Sequence, residues 1–159
     1  MVRARASAEK PGKETLQATT TRIGKGQQDL RDVPQSITVV TERLIDDRNI
    51  DTLKEALHNT AGIAFQAAEG GEEDIRLRGF SLQASGDIFV DGLRDPAFYE
   101  RDTFNDDRIE VLRGSASMLF GRGSTGGAVN QVNKQPLLYG RNEAARRLAT
   151  RPMRAPRWT

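Results

Sequence analysis

The sequence contains no cysteine and a single histidine, His58, among 159 residues. Without cysteine, the chain has no disulfide framework, no thiolate nucleophile and no cysteine metal site. One histidine provides too few ligands for a histidine-based zinc site, and no neighbouring motif supports a Ser-His-Asp relay. We therefore expect no enzymatic activity, no metal site and no resident cofactor, and we assign His58 a surface or packing role near a helix end.

Long apolar runs are absent as well. No stretch approaches the ~20 apolar residues that a membrane-spanning helix requires. The basic N-terminus lacks the apolar segment of a secretory signal, so we expect the chain as given to carry no signal peptide of its own. The length suits one domain with a modest hydrophobic core.

Excess positive charge is confined to the C-terminal tail. The whole chain has a formal net charge of +2, but residues 141–159 hold six arginines and one acid, so residues 1–140 carry a net charge of −3. We interpret the tail as a truncated or out-of-frame ending, with a disordered basic extension as the alternative. Because no basic folded face with stacking aromatics is apparent, we expect no nucleic-acid partner.

The most informative segment that is present runs from residue 108 to residue 136. Its pattern predicts a strand, a turn at Gly114, a short helix over 115–120, a glycine-rich turn over 121–127 and a second strand over 128–133. The helix residues expected to face the core are Met118, Leu119 and Phe120. Few architectures combine these elements in this order with so little spacer.

The preceding residues predict alternating short strands and helices. A strand over 36–40 leads to a helix over 42–48 with Thr41 as its N-cap, and Thr52 with Glu55 forms a capping-box pattern for the next helix. Further strands are predicted over 74–78 and 87–90, and the pair Asp91-Gly92 favours a tight hairpin turn. The predicted fold is α+β, with a mixed sheet of about four strands flanked by short helices.

Five segments in a fixed order resemble the plug domain of TonB-dependent outer-membrane receptors, the siderophore importers of Gram-negative bacteria. The segments are Asp32 to Val40, Thr52 to Ile63, Ile75 to Phe80, Asp87 to Gly92 and Arg108 to Pro136. Residues 46–48 and 69–74 are most similar to receptors for ferric catecholate siderophores. The resemblance implies a plug over 32–138. The composition of residues 1–31 predicts a flexible N-terminal segment, and the arginine-rich tail covers 139–159.

The resemblance also implies a function. A plug gates the lumen of a receptor's β-barrel in the outer membrane, takes part in binding a ferric siderophore and responds to the energy transducer TonB. No barrel segments follow residue 136, so we interpret the chain as a receptor fragment. The alternative is a free-standing soluble plug that binds a siderophore or partner without transport.

The candidate ligand residues lie in the loop over 93–104, which Pro96 stiffens, with residues 81–85 as a second candidate loop. A ferric siderophore saturates its iron with its own oxygens, so the protein needs cations and aromatic faces rather than metal ligands. The loop residues of these types are Arg94, Phe98, Tyr99, Arg101 and Phe104.

Two further contact sites follow from the resemblance. Arg78 and Arg113 each end a predicted strand before a glycine, and the matching arginines of the family dock against carboxylates of the barrel wall. The N-terminal segment offers a TonB-box candidate, with a plain disordered linker as the alternative. Its residues are Glu14, Thr15, Leu16, Gln17 and Ala18.

A different class of function would use the glycine loop over 121–127 as a phosphate cradle. The loop lacks the Gly-Lys-Ser/Thr ending of a Walker motif. It also follows a predicted helix and precedes a strand, which is the wrong polarity for a helix N-terminus to meet phosphate. We therefore rank a phosphate-binding enzyme below the receptor plug.

Overall fold

The computed structural model describes residues 13–67, 73–85, 87–96, 99–123 and 126–136. The predicted tail over 139–159 lies outside these residues. The strands are β1 (Thr20–Thr21), β2 (Gln28–Asp29), β3 (Ser36–Thr41), β4 (Ile63–Ala67), β5 (Glu73–Leu77), β6 (Phe80–Ser81), β7 (Ile88–Val90), β8 (Leu93–Arg94), β9 (Asp106–Arg113) and β10 (Gly127–Asn133). The helices are α1 (Glu42–Arg48), α2 (Leu53–Leu57), α3 (Leu82–Ser85) and α4 (Ser117–Phe120), with a 3-10 turn at Leu30–Asp32.

The largest sheet has five strands in the order β3-β9-β10-β7-β8. Its β10 and β7 run parallel, and the other neighbours are antiparallel. Strands β4, β5 and β6 form a second, antiparallel sheet, and β1 pairs with β2 in a two-stranded ribbon. The predicted α+β class is confirmed. The main sheet exceeds the expected four strands because Asp91 and Gly92, with φ of 50° and 77°, turn the chain back into β8.

One face of the five-stranded sheet, which we call the helix face, packs on α1, α2 and the second sheet. Alternate residues of the central strands, such as Ile109, Val111 and Val129, point to this side. They meet Leu57 and Leu77 in a buried cluster. This cluster is the main hydrophobic core, and it fixes the two larger sheets against each other.

The opposite face, which we call the ribbon face, is covered by the N-terminal residues. Ile23 is only 1% exposed and packs in a cluster with Phe89, Leu112, Ala116 and Ala128. Thr20 and Thr21 are buried as well. The prediction of a flexible segment through residue 31 is therefore wrong for this part of it, because β1 and its apolar anchor belong to the folded domain.

A threonine stands at the N-cap of each of the two longer helices, α1 and α2. Thr52 is the N-cap of α2, and its Oγ1 accepts a hydrogen bond of 3.3 Å from the Glu55 amide, as predicted. The reciprocal bond of the capping box forms with the residue before the N-cap, since the Glu55 side chain accepts from the Asp51 amide at 2.9 Å. Thr41 is the N-cap of α1, as predicted, although its side chain makes no capping hydrogen bond.

Helix α4 has only four residues and packs only part of its apolar side chains against the sheet. Leu119 and Phe120 pack against the ribbon-face cluster, and the Phe120 ring stacks on Phe89 at 4.0 Å between centroids. Met118 is 100% exposed, contrary to expectation, because so short a helix turns only one side to the core. No helix among the described residues is long and apolar enough to cross a membrane.

Candidate functional site

The glycine loop after α4 is shaped by packing. A Cβ atom on Gly126 would lie 2.6 Å from the Leu77 carbonyl oxygen. Gly127 has φ of 141°, and a Cβ there would overlap the Leu112 carbonyl oxygen and the Leu77 side chain. Glycine is therefore required where β10 passes between the second sheet and β9, which accounts for this pair without a phosphate ligand.

The candidate ligand loop begins on the hairpin of β7 and β8. Arg94 is exposed, and its Nη2 donates to the Arg122 carbonyl oxygen at 3.1 Å. Its guanidinium also lies 5.7 Å from the centre of the Phe89 ring. Phe98 lies outside the described residues. In the second candidate loop, Ser81 donates to Asp74 at 2.6 Å and Leu82 is buried.

Arg101 is not an exposed cation of this loop. It is 3% exposed, and its Nη2 donates to Asp95 at 2.6 Å and to the Pro96 carbonyl oxygen at 2.7 Å. The Tyr99 hydroxyl donates to the same Asp95 oxygen at 2.6 Å, and the guanidinium lies 4.6 Å from the Tyr99 ring centre. The buried guanidinium therefore pairs within the loop, and Arg101 also lines the cavity described below.

Backbone contacts then tie the loop to the start of α2. The Leu53 amide, one of the otherwise unpaired donors of the first helical turn, donates to the Arg101 carbonyl oxygen at 3.0 Å. The Thr103 hydroxyl donates to the Ile50 carbonyl oxygen at 2.9 Å. These contacts fix residues 101–103, while the Tyr99 and Phe104 rings remain accessible on either side.

Between these two rings lies an open cavity of about 310 Å³. Phe104 is 82% exposed at its rim. Lys134 lies 5.5 Å from the Phe104 ring centre, donates to the Phe104 carbonyl oxygen at 2.7 Å and pairs with Glu42 at 3.1 Å. Sequence reasoning missed Lys134, since it lies 30 residues from Phe104 and only strand pairing brings the two together.

Asp106, at the start of β9, forms part of the wall of this cavity. Burial raises its pKa to about 6, although a hydrogen bond of 2.7 Å from the Gln131 side chain and the charge of Lys134 act in the opposite direction. The sequence analysis did not single out this carboxylate. It contributes a group that is partly protonated near neutral pH beside the exposed rings.

The two predicted docking arginines lie at the opposite end of the main sheet from Asp106. Arg113 is half-buried, and it donates from Nε to the Ala61 carbonyl oxygen at 3.1 Å and from Nη1 to Thr38 at 2.7 Å. Arg78 is exposed in the turn between β5 and β6, with φ of 54°. Its Nη1 lies 4.0 Å from where a Cβ of Gly114 would stand, and its guanidinium makes no hydrogen bond or ion pair with a described residue.

The TonB-box candidate directly precedes β1. None of its five residues belongs to a helix or strand, and Leu16 has an exposed side chain. Only Thr19 separates Ala18 from the buried β1. The segment is thus an accessible stretch of chain adjoining the folded domain.

Comparison with known proteins adds a family match. A family model described as the TonB-dependent receptor plug domain matches residues 29–128. The chain is 43% identical over 110 residues to the "Probable TonB-dependent receptor BfrD" of Bordetella pertussis, an alignment that covers 67% of this chain and 14% of that protein. It is 36% identical over 110 residues to the catecholate siderophore receptor Fiu of Escherichia coli K12, with 66% of this chain and 14% of that protein covered.

Solved structures agree with the sequence match. The ferripyoverdine receptor of the outer membrane of Pseudomonas aeruginosa, bound to ferripyoverdine, superposes with a TM-score of 0.67 at 27% identity, covering 84% of this chain and 18% of that one. The chain spans about 14% of the length of the curated relatives named above.

Proposed function

This chain belongs to the family of TonB-dependent receptor plug domains, and we propose that it gates the lumen of a receptor that imports a ferric siderophore across the outer membrane. The family match over residues 29–128 carries this proposal, since it includes β3, β7, β8 and β9 of the five-stranded sheet and the start of β10. A folded domain of this kind occludes the lumen, and ligand contact and pull on its N-terminus bias it between closed and open states.

The ligand surface in this proposal consists of Arg94, Tyr99 and Phe104, with Phe98 from the sequence pattern and Lys134 from the structure. Two cations and accessible rings suit a bulky anionic siderophore whose iron is already coordinated. Arg101 has a positioning role, because its pairing with Asp95 sets the loop conformation. The relatives include receptors named for catecholate siderophores and for pyoverdine, and we propose a ferric catecholate as the first ligand to test.

Arg78 is the better candidate for docking against the barrel wall. Its guanidinium is exposed and unpaired among the described residues, so a wall carboxylate would gain a bidentate partner without breaking an existing contact. Arg113 already bonds to Ala61 and Thr38, which favours a role in orienting the neighbouring turn. We keep it as a secondary docking residue.

For the transducer, we propose residues 14–18 as the segment that adds to a sheet edge of TonB. An accessible stretch without helix or strand can adopt the extended backbone that this mode of recognition needs. The barrel, the transducer and the siderophore are the three partners that the proposed function requires.

Titration calorimetry on this chain with a ferric catecholate siderophore tests the ligand surface. The loop supplies only part of the contact area, so we expect a Kd of about tens of micromolar or weaker. Arg94→Ala and Tyr99→Ala should each weaken binding, and His58→Ala should not, because His58 lies at the C-terminal end of α2 beside the Phe65 ring. Nanomolar affinity unaffected by the loop changes would place the site elsewhere and favour a self-sufficient binding protein.

A further inference from the structure

The first residues of β9 contain a β-bulge against β10. Val132 of β10 pairs with Arg108, but the next residue, Asn133, pairs with Asp106, so Asp107 is an extra residue on β9. An extra residue reverses the alternation of side chains between the two faces of a sheet for the residues beyond it. The bulge therefore decides on which face the Asp106 side chain lies.

The Asp106 carboxylate lies on the helix face. Leu112 belongs to the ribbon-face cluster, and regular alternation would place Asp106, six residues earlier, on that face as well. Instead, the carboxylate accepts a hydrogen bond of 2.7 Å from Gln131. Gln131 follows Val129 of the helix-face core by two residues and so shares its face. This position makes Asp106 part of the wall of the ligand-loop cavity.

Among the described residues, no cation forms an ion pair with the Asp106 carboxylate, although the residue is only 4% exposed. The nearby ammonium group of Lys134 pairs with Glu42 of α1 at 3.1 Å and donates to a loop carbonyl oxygen at 2.7 Å. Asp102 of the loop and Asp91 of the turn between β7 and β8 add negative charge around Asp106. Ionised Asp106 is thus a buried charge that its surroundings compensate incompletely.

The other charged and titratable groups of the cavity wall either have a partner or are exposed. Arg101 pairs with Asp95 at 2.6 Å, and the Tyr99 hydroxyl donates to the same carboxylate at 2.6 Å. Asp102 is exposed, and its carboxylate accepts from a loop amide at 2.6 Å. Among the described residues of the wall, Asp106 is therefore the buried acid without a cationic partner.

We propose that Asp106 is a specificity-determining residue of the ligand surface, which repels an anionic ligand group in the cavity when ionised and donates a hydrogen bond to it when protonated. The inference rests on the proposed function, because that function supplies the ferric siderophore. Since water is largely excluded from the wall, the charge of Asp106 acts on a ligand in the cavity with less screening than a surface carboxylate would.

The proposal predicts the direction of a pH effect. Burial raises the pKa of Asp106 to about 6. The protonated fraction therefore rises from about one per cent at pH 8 to about half at pH 6. Because the protonated form accepts the anionic ligand better, affinity should increase as the pH falls over this range.

Titration calorimetry on this chain tests the effect with the gallium(III) complex of a catecholate siderophore, at about pH 6 and about pH 8. Asp106→Asn keeps the size of the side chain and an acceptor for Gln131, and it is neutral at both pH values. Its affinity ratio between the two pH values therefore reports the titration of the ligand and of all other groups. The wild-type ratio should exceed that of Asp106→Asn by at least about threefold, with weaker binding at pH 8.

Asp47→Asn is the matched control. Asp47 is an exposed carboxylate of α1 that bonds to Arg43 and does not line the cavity. This variant should keep the wild-type affinity ratio. A ratio lowered as far as that of Asp106→Asn would contradict the assignment to Asp106.

A second readout needs no variant. The carboxyl carbon of Asp106, followed by NMR in the isotope-labelled wild type, should titrate with a pKa of about 6 in the free chain. The diamagnetic gallium(III) complex should raise this pKa, because a ligand that binds the protonated form more tightly stabilises that form.

The outcomes separate this inference from the proposed function. A wild type that binds the complex with the same affinity ratio as Asp106→Asn, or whose Asp106 pKa is unchanged or lowered by the complex, would overturn the inference and leave the ligand surface standing. Absence of binding by the wild type at either pH would contradict the proposed ligand surface, and the inference with it.

Discussion

Two adjacent glycines, Gly126 and Gly127, are fixed by what surrounds them. The carbonyl oxygens of Leu77 and Leu112 occupy the space that a side chain would need. A glycine-rich run invites a search for a bound phosphate, yet here backbone atoms of β5 in the second sheet and of β9 in the main sheet lie against the two glycines. The residue type is therefore evidence of close packing between sheets, and only the spatial neighbours distinguish the two explanations.

Gly127→Ala should destabilise the domain by about 2–4 kcal/mol, because the new Cβ meets backbone atoms and the residue must keep a positive φ. Urea denaturation of the two proteins measures the difference. Gly26→Ala is the control: its φ is not in the positive region and nothing lies within 4 Å of the added carbon. It should change stability by less than about 1 kcal/mol, and a similar loss in both variants would contradict the packing argument.

The loop over 93–104 shows what can be read from sequence at the scale of an element. Its place after the Asp91-Gly92 turn and its content of cations and rings were predictable from turn chemistry and composition. Which arginine would be buried was not, because Asp95 lies six residues from Arg101 and only the folded loop brings them together. The ribbon of β1 and β2 was missed for a related reason: two threonines and a single isoleucine give no alternation from which to predict a strand.

Arg101→Ala should cost about 2–4 kcal/mol of stability, since it leaves Asp95 without its buried partner and removes a donor to the Pro96 carbonyl oxygen. Arg94→Ala, an exposed arginine of the same loop, should cost no more than about 0.5 kcal/mol. Thermal denaturation of both variants beside the wild type distinguishes them. Equal, small effects would mean that Arg101 is not the residue that holds this loop.

At the scale of the molecule, the order of elements was largely contained in the sequence. Capping residues, glycine turns and short apolar strands each specify local structure, and the core strands β9 and β10 appear where predicted. The sequence did not predict which residues cover the ribbon face of the main sheet. That face is closed by a ribbon that packs Ile23 on Phe89 and Leu112 and that also forms hydrogen bonds with Glu110 and Arg108.

The central claim is that this domain gates a receptor lumen and opens when its N-terminal segment is pulled. The most direct measurement is uptake of a radiolabelled ferric catecholate by cells in which this chain's residues 13–136 replace the plug of the Fiu receptor. We predict uptake that depends on TonB and is lost on deletion of residues 14–18, with ligand binding at the cell surface retained. A chimera that assembles and binds the ferric siderophore, yet transports it equally well without residues 14–18, would contradict the account.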